Sequence, residues 1–188
     1  NINKLHVLKF NTTLKVKIKT VKQKLNYYYI KSNIRFYFWN SVLNFNNNPL
    51  INSLDEFVNI TNVQSLSISD NNSLTNIDGL SGISNLNSSL TISGNNILTS
   101  VNLSNFQTSS MVTISNNPML TSLSGMSNFL STGNLIIEQN PQLVNLNGFE
   151  NLSQVGSLHL ISNDSLNSLE ALIGYTGFVS EIKIENCP

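Results

Sequence analysis

Apolar residues recur along this chain in a pattern that repeats every 22 to 24 residues. Each copy begins with two apolar residues separated by one residue, and this period of two predicts a short β-strand with both side chains on one face. The steps between successive pairs are 23, 24, 22, 23, 23 and 24 residues, which indicates an internal repeat. The seven pairs are Leu43/Phe45, Leu66/Ile68, Leu90/Ile92, Val112/Ile114, Leu135/Ile137, Leu158/Leu160 and Ile182/Ile184.

An asparagine stands three positions after the second member of each of the first six pairs. Because asparagine tolerates left-handed backbone angles and bonds local backbone groups, we expect it in the turn that ends each strand. Stacked copies would bring these side chains into a ladder in which each amide bonds to the backbone of the neighbouring coil. The predicted ladder residues are Asn48, Asn71, Asn95, Asn117, Asn140 and Asn163.

After each asparagine, apolar residues recur about every three positions, as at Leu143, Leu146, Phe149 and Leu152. This period fits neither an α-helix nor a long strand, and it favours short extended or 3₁₀ segments that bend the chain around a narrow core. One coil cannot bury its apolar edge alone, whereas stacked coils place like residues over like. We therefore predict an all-β fold for residues 41–188, a parallel β-solenoid of about seven coils of 22–24 residues.

The step from asparagine to the next apolar residue is three here, as from Asn140 to Leu143, whereas ordinary leucine-rich repeats use two. With the pairs Asn117-Pro118 and Asn140-Pro141, the repeat resembles the receptor L-domain family, the leucine-rich β-helical modules of epidermal growth factor and insulin receptors. It looks closer still to long L-domain-like arrays in surface proteins of microbes and protists. The resemblance covers about residues 42–188. It implies a right-handed solenoid, usually extracellular, that serves ligand binding, adhesion or wall architecture.

Residues 1–40 have a different character from the array. Nine of the ten basic residues lie in the first 35 positions, whereas all ten acidic residues lie from Asp55 onward. One period upstream of Leu43 there is no matching apolar pair, so we predict a basic flank that is a cap, disordered or non-native. Within it, the alternation from Leu14 to Lys19 predicts a strand with a lysine face. At the other end the array stops partway through a copy, so we expect further coils or a cap to follow.

The flank also carries lysines together with aromatic residues such as Tyr27, Tyr28, Tyr29 and Trp39. An arm that binds nucleic acid or anionic lipid would use these residue types. The composition is equally that of a solvated flank, which is the interpretation we favour. No nucleic-acid partner is therefore expected.

No catalytic or metal-binding pattern occurs in the sequence. The two histidines, His6 and His159, lie in different segments, and no cluster has metal-ligand spacing. No serine lies in a Gly-x-Ser-x-Gly motif, and Cys187 is the single cysteine. No apolar run is long enough to span a bilayer. We expect a protein that is not an enzyme, uses no cofactor or metal, and meets a membrane only through anchors outside this chain.

The residues between and after the strand anchors should face outward. On the first three complete strands they are serine and threonine, at Ser67, Ser69, Thr91, Ser93, Thr113 and Ser115. On the last three strands the chemistry varies between apolar and charged, so this part is the predicted ligand-binding surface. Its residues are Ile136, Glu138, His159, Ile161, Lys183 and Glu185.

These observations leave three hypotheses of function. The leading one is an extracellular or cell-surface recognition or adhesion module that binds a protein or carbohydrate ligand through the outer strand face. The alternative is a purely structural spacer in a wall or surface layer. A third, ice binding, is less favoured: regular threonine arrays on solenoids resemble ice-binding proteins, but this array is rich in serine and breaks after three coils.

Overall fold

The computed structural model describes residues Leu14–Lys15 and 42–188. In this part the chain forms short strands joined by turns and by three short 3₁₀ helices, Asp55–Phe57, Asp78–Leu80 and Glu170–Leu172, with no α-helix. The strands are β1 (Leu14–Lys15), β2 (Val42–Asn44), β3 (Asn62–Val63), β4 (Ser65–Ser69), β5 (Asn85–Leu86), β6 (Ser89–Ser93), β7 (Ser100–Asn102), β8 (Thr108–Ser115), β9 (Ser122–Gly125), β10 (Ser131–Glu138), β11 (Gln154–Ile161) and β12 (Glu181–Glu185).

One strand from each repeat stacks into a parallel sheet in the order β2-β4-β6-β8-β10-β11-β12. The register is that of the repeat, since Leu135 pairs with Val112 on one side and with Leu158 on the other. The predicted all-β parallel β-solenoid is therefore confirmed. It has about six turns in place of about seven coils, because seven stacked strands enclose six intervals.

The three-residue apolar period has its origin in the backbone hydrogen bonds. The amide of Phe149 donates to the carbonyl of Leu146 at 3.1 Å, and the amide of Leu152 donates to the carbonyl of Phe149 at 3.0 Å. Each step is a 3₁₀-type turn, so every third side chain returns to the interior. The same bonds recur in other coils, for example from Ile83 to Leu80 at 3.0 Å.

The core is a set of ladders that run along the solenoid axis. The rings of Phe106 and Phe129 stack with centroids 5.3 Å apart, and Phe149 continues the column 5.4 Å beyond Phe129. All three rings are fully buried. Aromatic contacts of this kind add to the stabilisation from area burial, so successive coils are held together at their centres.

Two glycines mark corners where adjacent coils come unusually close. A Cβ atom at Gly79 would collide with the carbonyl oxygen of Leu54 in the preceding coil, and one at Gly148 would collide with that of Leu123. Gly148 also has a φ of +109°, which side chains disfavour. The coil spacing at these corners therefore requires glycine.

The basic flank lies outside the described residues except for β1. This strand pairs in parallel with β2, with Leu14 opposite Leu43 and Lys15 opposite Asn44. It falls within the strand predicted from Leu14 to Lys19. The domain boundary near residue 40 and the nature of the flank stay predictions.

Candidate functional site

Buried asparagines hold the strand ends and thereby fix the geometry of the outer face. The Asn140 amide nitrogen donates to the carbonyls of Ile114 and Glu138, each at 3.0 Å, and its oxygen accepts the Asn117 backbone amide at 3.1 Å. From Asn71 onward, each ladder asparagine likewise satisfies a backbone carbonyl of the preceding coil, which removes the cost of burying it unpaired. The buried ladder residues are Asn48, Asn71, Asn95, Asn117, Asn140 and Asn163.

The expectation that the ladder asparagines themselves adopt left-handed angles is wrong by one position. The residue before each asparagine has the positive φ, for example 57° at Asp70 and 54° at Gln139. The left-handed residue bends the chain away from the strand direction, and the side chain that follows it points into the interior. Asparagine is therefore selected at the ladder position for its hydrogen bonds and burial.

A seventh ladder position, absent from the prediction, is occupied by Cys187. Its sulfur lies 3.6 Å from the carbonyl oxygens of Leu160 and Glu185. These two carbonyls correspond to those of Ile114 and Glu138, to which Asn140 donates. A thiol is a weak donor and a weak acceptor, so it replaces the amide poorly. The repeat spacing itself could have revealed it, because Cys187 stands three residues after Ile184.

The structure brings the six predicted ligand-binding residues together on β10, β11 and β12. Ile136 pairs with His159 and then Lys183, while Glu138 pairs with Ile161 and then Glu185. They form two rows of three in register, which we call the strand-face grid. Glu185 is exposed and the other five are half-buried, so the grid is shallow.

Charged groups on the grid lie close together. His159 Nε2 lies 3.2 Å from the carboxylate of Glu181, and Lys183 Nζ lies 3.1 Å from that of Glu185. The Nε2 atom of His159 is buried and makes no hydrogen bond among the described residues, although the Glu181 carboxylate lies close to it. The ion pair between Lys183 and Glu185 is partly exposed, so it contributes little to stability. The prediction missed Glu181, although it precedes Lys183 by two residues and therefore faces outward with it.

The serine and threonine array occupies the same sheet face on β4, β6 and β8. Ser67, Thr91 and Thr113 are aligned in register. In the second row the Ser93 hydroxyl donates to the Ser69 hydroxyl at 3.0 Å, and Ser69 is buried. Part of the array is thus engaged within the protein, and ice binding stays a prediction.

A groove that the sequence prediction did not include runs along the turns after the strands. It has a volume of about 660 Å³ and is lined by the left-handed residues and by those that follow the ladder asparagines, among them Asp70, Asn96, Asn116, Gln139 and Asp164. Within the described part of the chain, the side chains of these five make no hydrogen bond, so they are solvated. Their recurrence on both sides of each ladder asparagine is the sequence signal that could have identified the groove.

No group of three or more histidine, cysteine, aspartate or glutamate side chains suited to a metal ion occurs among the described residues. In that same part of the chain, no helix has the length and apolar character needed to cross a membrane.

No family model, no curated protein and no solved structure matches this chain. The β-solenoid fold therefore rests on the sequence repeat and on the structure.

Proposed function

We propose that this chain is a non-catalytic recognition module of the extracellular space or cell surface, a right-handed L-domain-like solenoid. It binds a protein or carbohydrate ligand through the strand-face grid. The observation that carries this proposal is the in-register grouping of Ile136, His159 and Lys183 beside Glu138, Ile161 and Glu185.

Rigidity of the support favours binding at the grid. Each of the three strands pairs along its length with a neighbour, and the buried ladder residues Asn140 and Asn163 tie the strand ends together. A surface that is already ordered loses little conformational entropy when a ligand binds. Half-buried Ile136 and Ile161 supply apolar contact area between the charged groups.

The charge of the surface favours one kind of ligand. Glu138, Glu181 and Glu185 supply three carboxylates, against the single ammonium group of Lys183. This negative balance is complementary to a protein surface or a peptide that carries basic side chains, and it opposes acidic glycans. A basic protein segment is accordingly the ligand that we place first, and a neutral carbohydrate is the second.

A screen of the purified chain against peptide and glycan arrays tests the proposal, followed by affinity measurement with two matched variants. Ile136→Arg changes the grid, whereas Thr91→Arg changes the equivalent outward position on β6. We expect Ile136→Arg to weaken binding by at least about tenfold through steric and charge mismatch, and Thr91→Arg to leave it unchanged. Equal effects of the two variants would contradict the assignment of the binding site to the grid. Binding that is lost on Gln139→Arg, in the groove, but kept on Ile136→Arg would contradict it as well.

A structural spacer is the second candidate function. It is favoured by polar side chains of the outer face that already form hydrogen bonds with one another. For example, the Ser157 hydroxyl donates to the side-chain oxygen of Asn134 at 2.9 Å. A folded chain that binds no member of either array would support the spacer and overturn recognition.

A further inference from the structure

One coil contains an extra residue at the point where the chain enters the outer strand. Four steps along the chain separate Leu86 from the anchor Leu90, whereas three steps separate the matching positions of the coils before and after it. The strand is interrupted there, since β5 ends at Leu86 and β6 begins at Ser89. An extra residue in one strand is accommodated as a bulge, which redirects a side chain. Asn87 and Ser88 form this bulge.

The backbone of the bulge is fixed by the neighbouring coils. The Ser88 amide donates to the carbonyl oxygen of Gln64 at 2.9 Å. The Ser88 carbonyl oxygen accepts from the backbone amides of Ser110 and Met111 at 2.9 and 3.1 Å. In contrast, the side chain of Asn87 is exposed and makes no hydrogen bond among the described residues. Its amide group is therefore held outward and is free to react.

Asn87 begins a tripeptide of known chemistry. Asn87-Ser88-Ser89 has the pattern Asn-x-Ser/Thr, which accepts N-linked glycans. Ser89 is half-buried, and within the described part of the chain its hydroxyl group makes no hydrogen bond either. Both side chains that the pattern specifies are thus unbonded at the same bulge.

Other copies of the pattern in the stacked coils have asparagines that are covered or engaged. Asn71 and Asn163 are fully buried in the ladder. Asn151 is exposed, but its side-chain amide donates to the carbonyl oxygen of Ser127 at 2.8 Å. Asn102 is half-buried on β7. Among the copies that follow the first coil, the one at Asn87 therefore combines exposure with an unbonded amide.

The copy in the first coil, Asn59-Ile60-Thr61, differs in its hydroxyl group. The Thr61 hydroxyl already accepts from the side chain of Asn62 at 3.0 Å. Ile60, between the two polar residues of the pattern, is 1% exposed and is held in the core. The tripeptide at the bulge is under neither constraint, so it is the better acceptor.

We propose that Asn87 is an N-glycosylation site that receives an oligosaccharide from a lipid pyrophosphate donor. The inference rests on the proposed extracellular location, because this modification belongs to secreted proteins. In the reaction, the side-chain nitrogen of Asn87 forms a bond to the anomeric carbon of the first sugar. The bond from that carbon to the pyrophosphate breaks, the lipid pyrophosphate leaves, and the amide loses one proton.

The position of the glycan has a consequence for the outer face. It would stand at the amino end of β6, beside the serine and threonine array at Ser67 and Thr91. The first strand of the grid, β10, is separated from β6 by β8, and two strand spacings amount to about 10 Å. A bulky, solvated glycan therefore shields the array more than the grid. This opposes ice binding by the array.

Expression of the whole chain behind a cleavable secretion signal in a eukaryotic cell line tests the proposal. We expect a glycoprotein whose mass falls on treatment with peptide N-glycosidase. This enzyme converts each glycosylated asparagine to aspartate, so in heavy-oxygen water the peptide that contains Asn87 should take up more label than any other. Lack of label at Asn87, or higher occupancy at the buried Asn71 or Asn163, would overturn the assignment.

Substitutions within the tripeptide distinguish glycosylation from a structural role. Asn87→Gln and Ser89→Ala should each remove the mass of one glycan, whereas Ser89→Thr should retain it. Asn151→Gln, at an exposed asparagine of another copy, is the matched control and should leave that mass in place. Asn87→Gln should not change urea unfolding of the chain produced in bacteria without glycan, because the Asn87 side chain makes no hydrogen bond there. A glycan that persists in Asn87→Gln would refute the site.

The same bacterial chain keeps this test separate from that of recognition. Binding of an array ligand by the bacterial chain, with no label at Asn87 in the secreted chain, would overturn glycosylation and leave recognition standing. Label at Asn87 without binding of any array ligand would support glycosylation and overturn recognition.

Discussion

Two coils of the same repeat, one internal and one last, differ in how their matching residues are buried. The internal coil buries Leu146 completely, whereas Leu169, its counterpart one coil later, is 39% exposed. Their position in the repeat is the same. What differs is the presence of a coil on the outer side, so burial in this fold belongs to the stack and not to the single coil.

The polar positions show the same contrast. The side-chain amide of Asn163 donates to the carbonyl oxygen of Ile137 at 2.9 Å, and its side-chain oxygen accepts from the backbone amide of Asn140 at 3.1 Å. At the next ladder position Cys187 has only two long sulfur contacts, each at 3.6 Å. The ladder therefore stabilises the junctions between coils and weakens at the last one.

The largest expected effect is that of a charge inside the internal coil. Leu143→Asp would place an unpaired carboxylate in a column of fully buried side chains, and we expect it to cost at least about 4 kcal/mol of unfolding free energy. Ile182→Asp, at the exposed end, should cost less than about 1 kcal/mol. Urea denaturation of dilute protein, followed by circular dichroism, measures both. Thr113→Lys, on the outer face, should change the unfolding free energy only slightly. A loss equal to that of Leu143→Asp would mean that the inner and outer faces are wrongly assigned.

Truncation of matching leucines compares the two coils without introducing charge. Leu146→Ala should lower the unfolding free energy by about 3 kcal/mol, because it leaves a cavity in a packed column. Leu169→Ala should lower it by less than about 1 kcal/mol, since its side chain is already partly in water. Thermal and urea unfolding of the pair give the difference. If both variants lost a similar amount of unfolding free energy, this would contradict the conclusion that the next coil outward provides the burial of Leu146.

Removal of one ladder amide should have a smaller effect. Asn140→Ala would leave the carbonyl of Ile114 and the amide of Asn117 without their partner, at a cost of about 2 kcal/mol. Asn96→Ala, on a solvated groove residue, is the control and should cost almost nothing. Hydrogen exchange of the Asn117 amide should quicken only in the first variant, and unchanged protection there would argue against the ladder as a stabilising element.

The smallest expected effect is an increase in stability at the last ladder position. Cys187→Asn would supply an amide that can donate to the Leu160 carbonyl and accept from the Asn163 backbone amide. We expect stabilisation by about 0.5 to 1 kcal/mol, the net value of a hydrogen bond at a partly exposed site. Cys187→Ser, which cannot span the same distance, is the comparison. A loss of stability on Cys187→Asn would show that the last coil departs from the ladder geometry.

The candidate site could be predicted in part. The outward positions Ile136, His159 and Lys183 follow from the two-residue period, and their alignment follows from the repeat length. Their partial burial and the approach of Glu181 to His159 depend on how neighbouring strands lie side by side. Polar residues that recur on both sides of each ladder asparagine mark the groove in the sequence, whereas the left-handed angle at Gln139 that shapes it is visible only in the structure.

By itself, the sequence of this protein determined the repeat, the faces of each strand and the pairs that meet across coils, because these depend on spacing along the chain. Only the tertiary structure decided which of two identical patterns is buried and where the left-handed residue falls. Spacing specifies what a residue can pack against, whereas burial depends on whether another coil is present there, as the contrast between Leu160 and Ile184 shows.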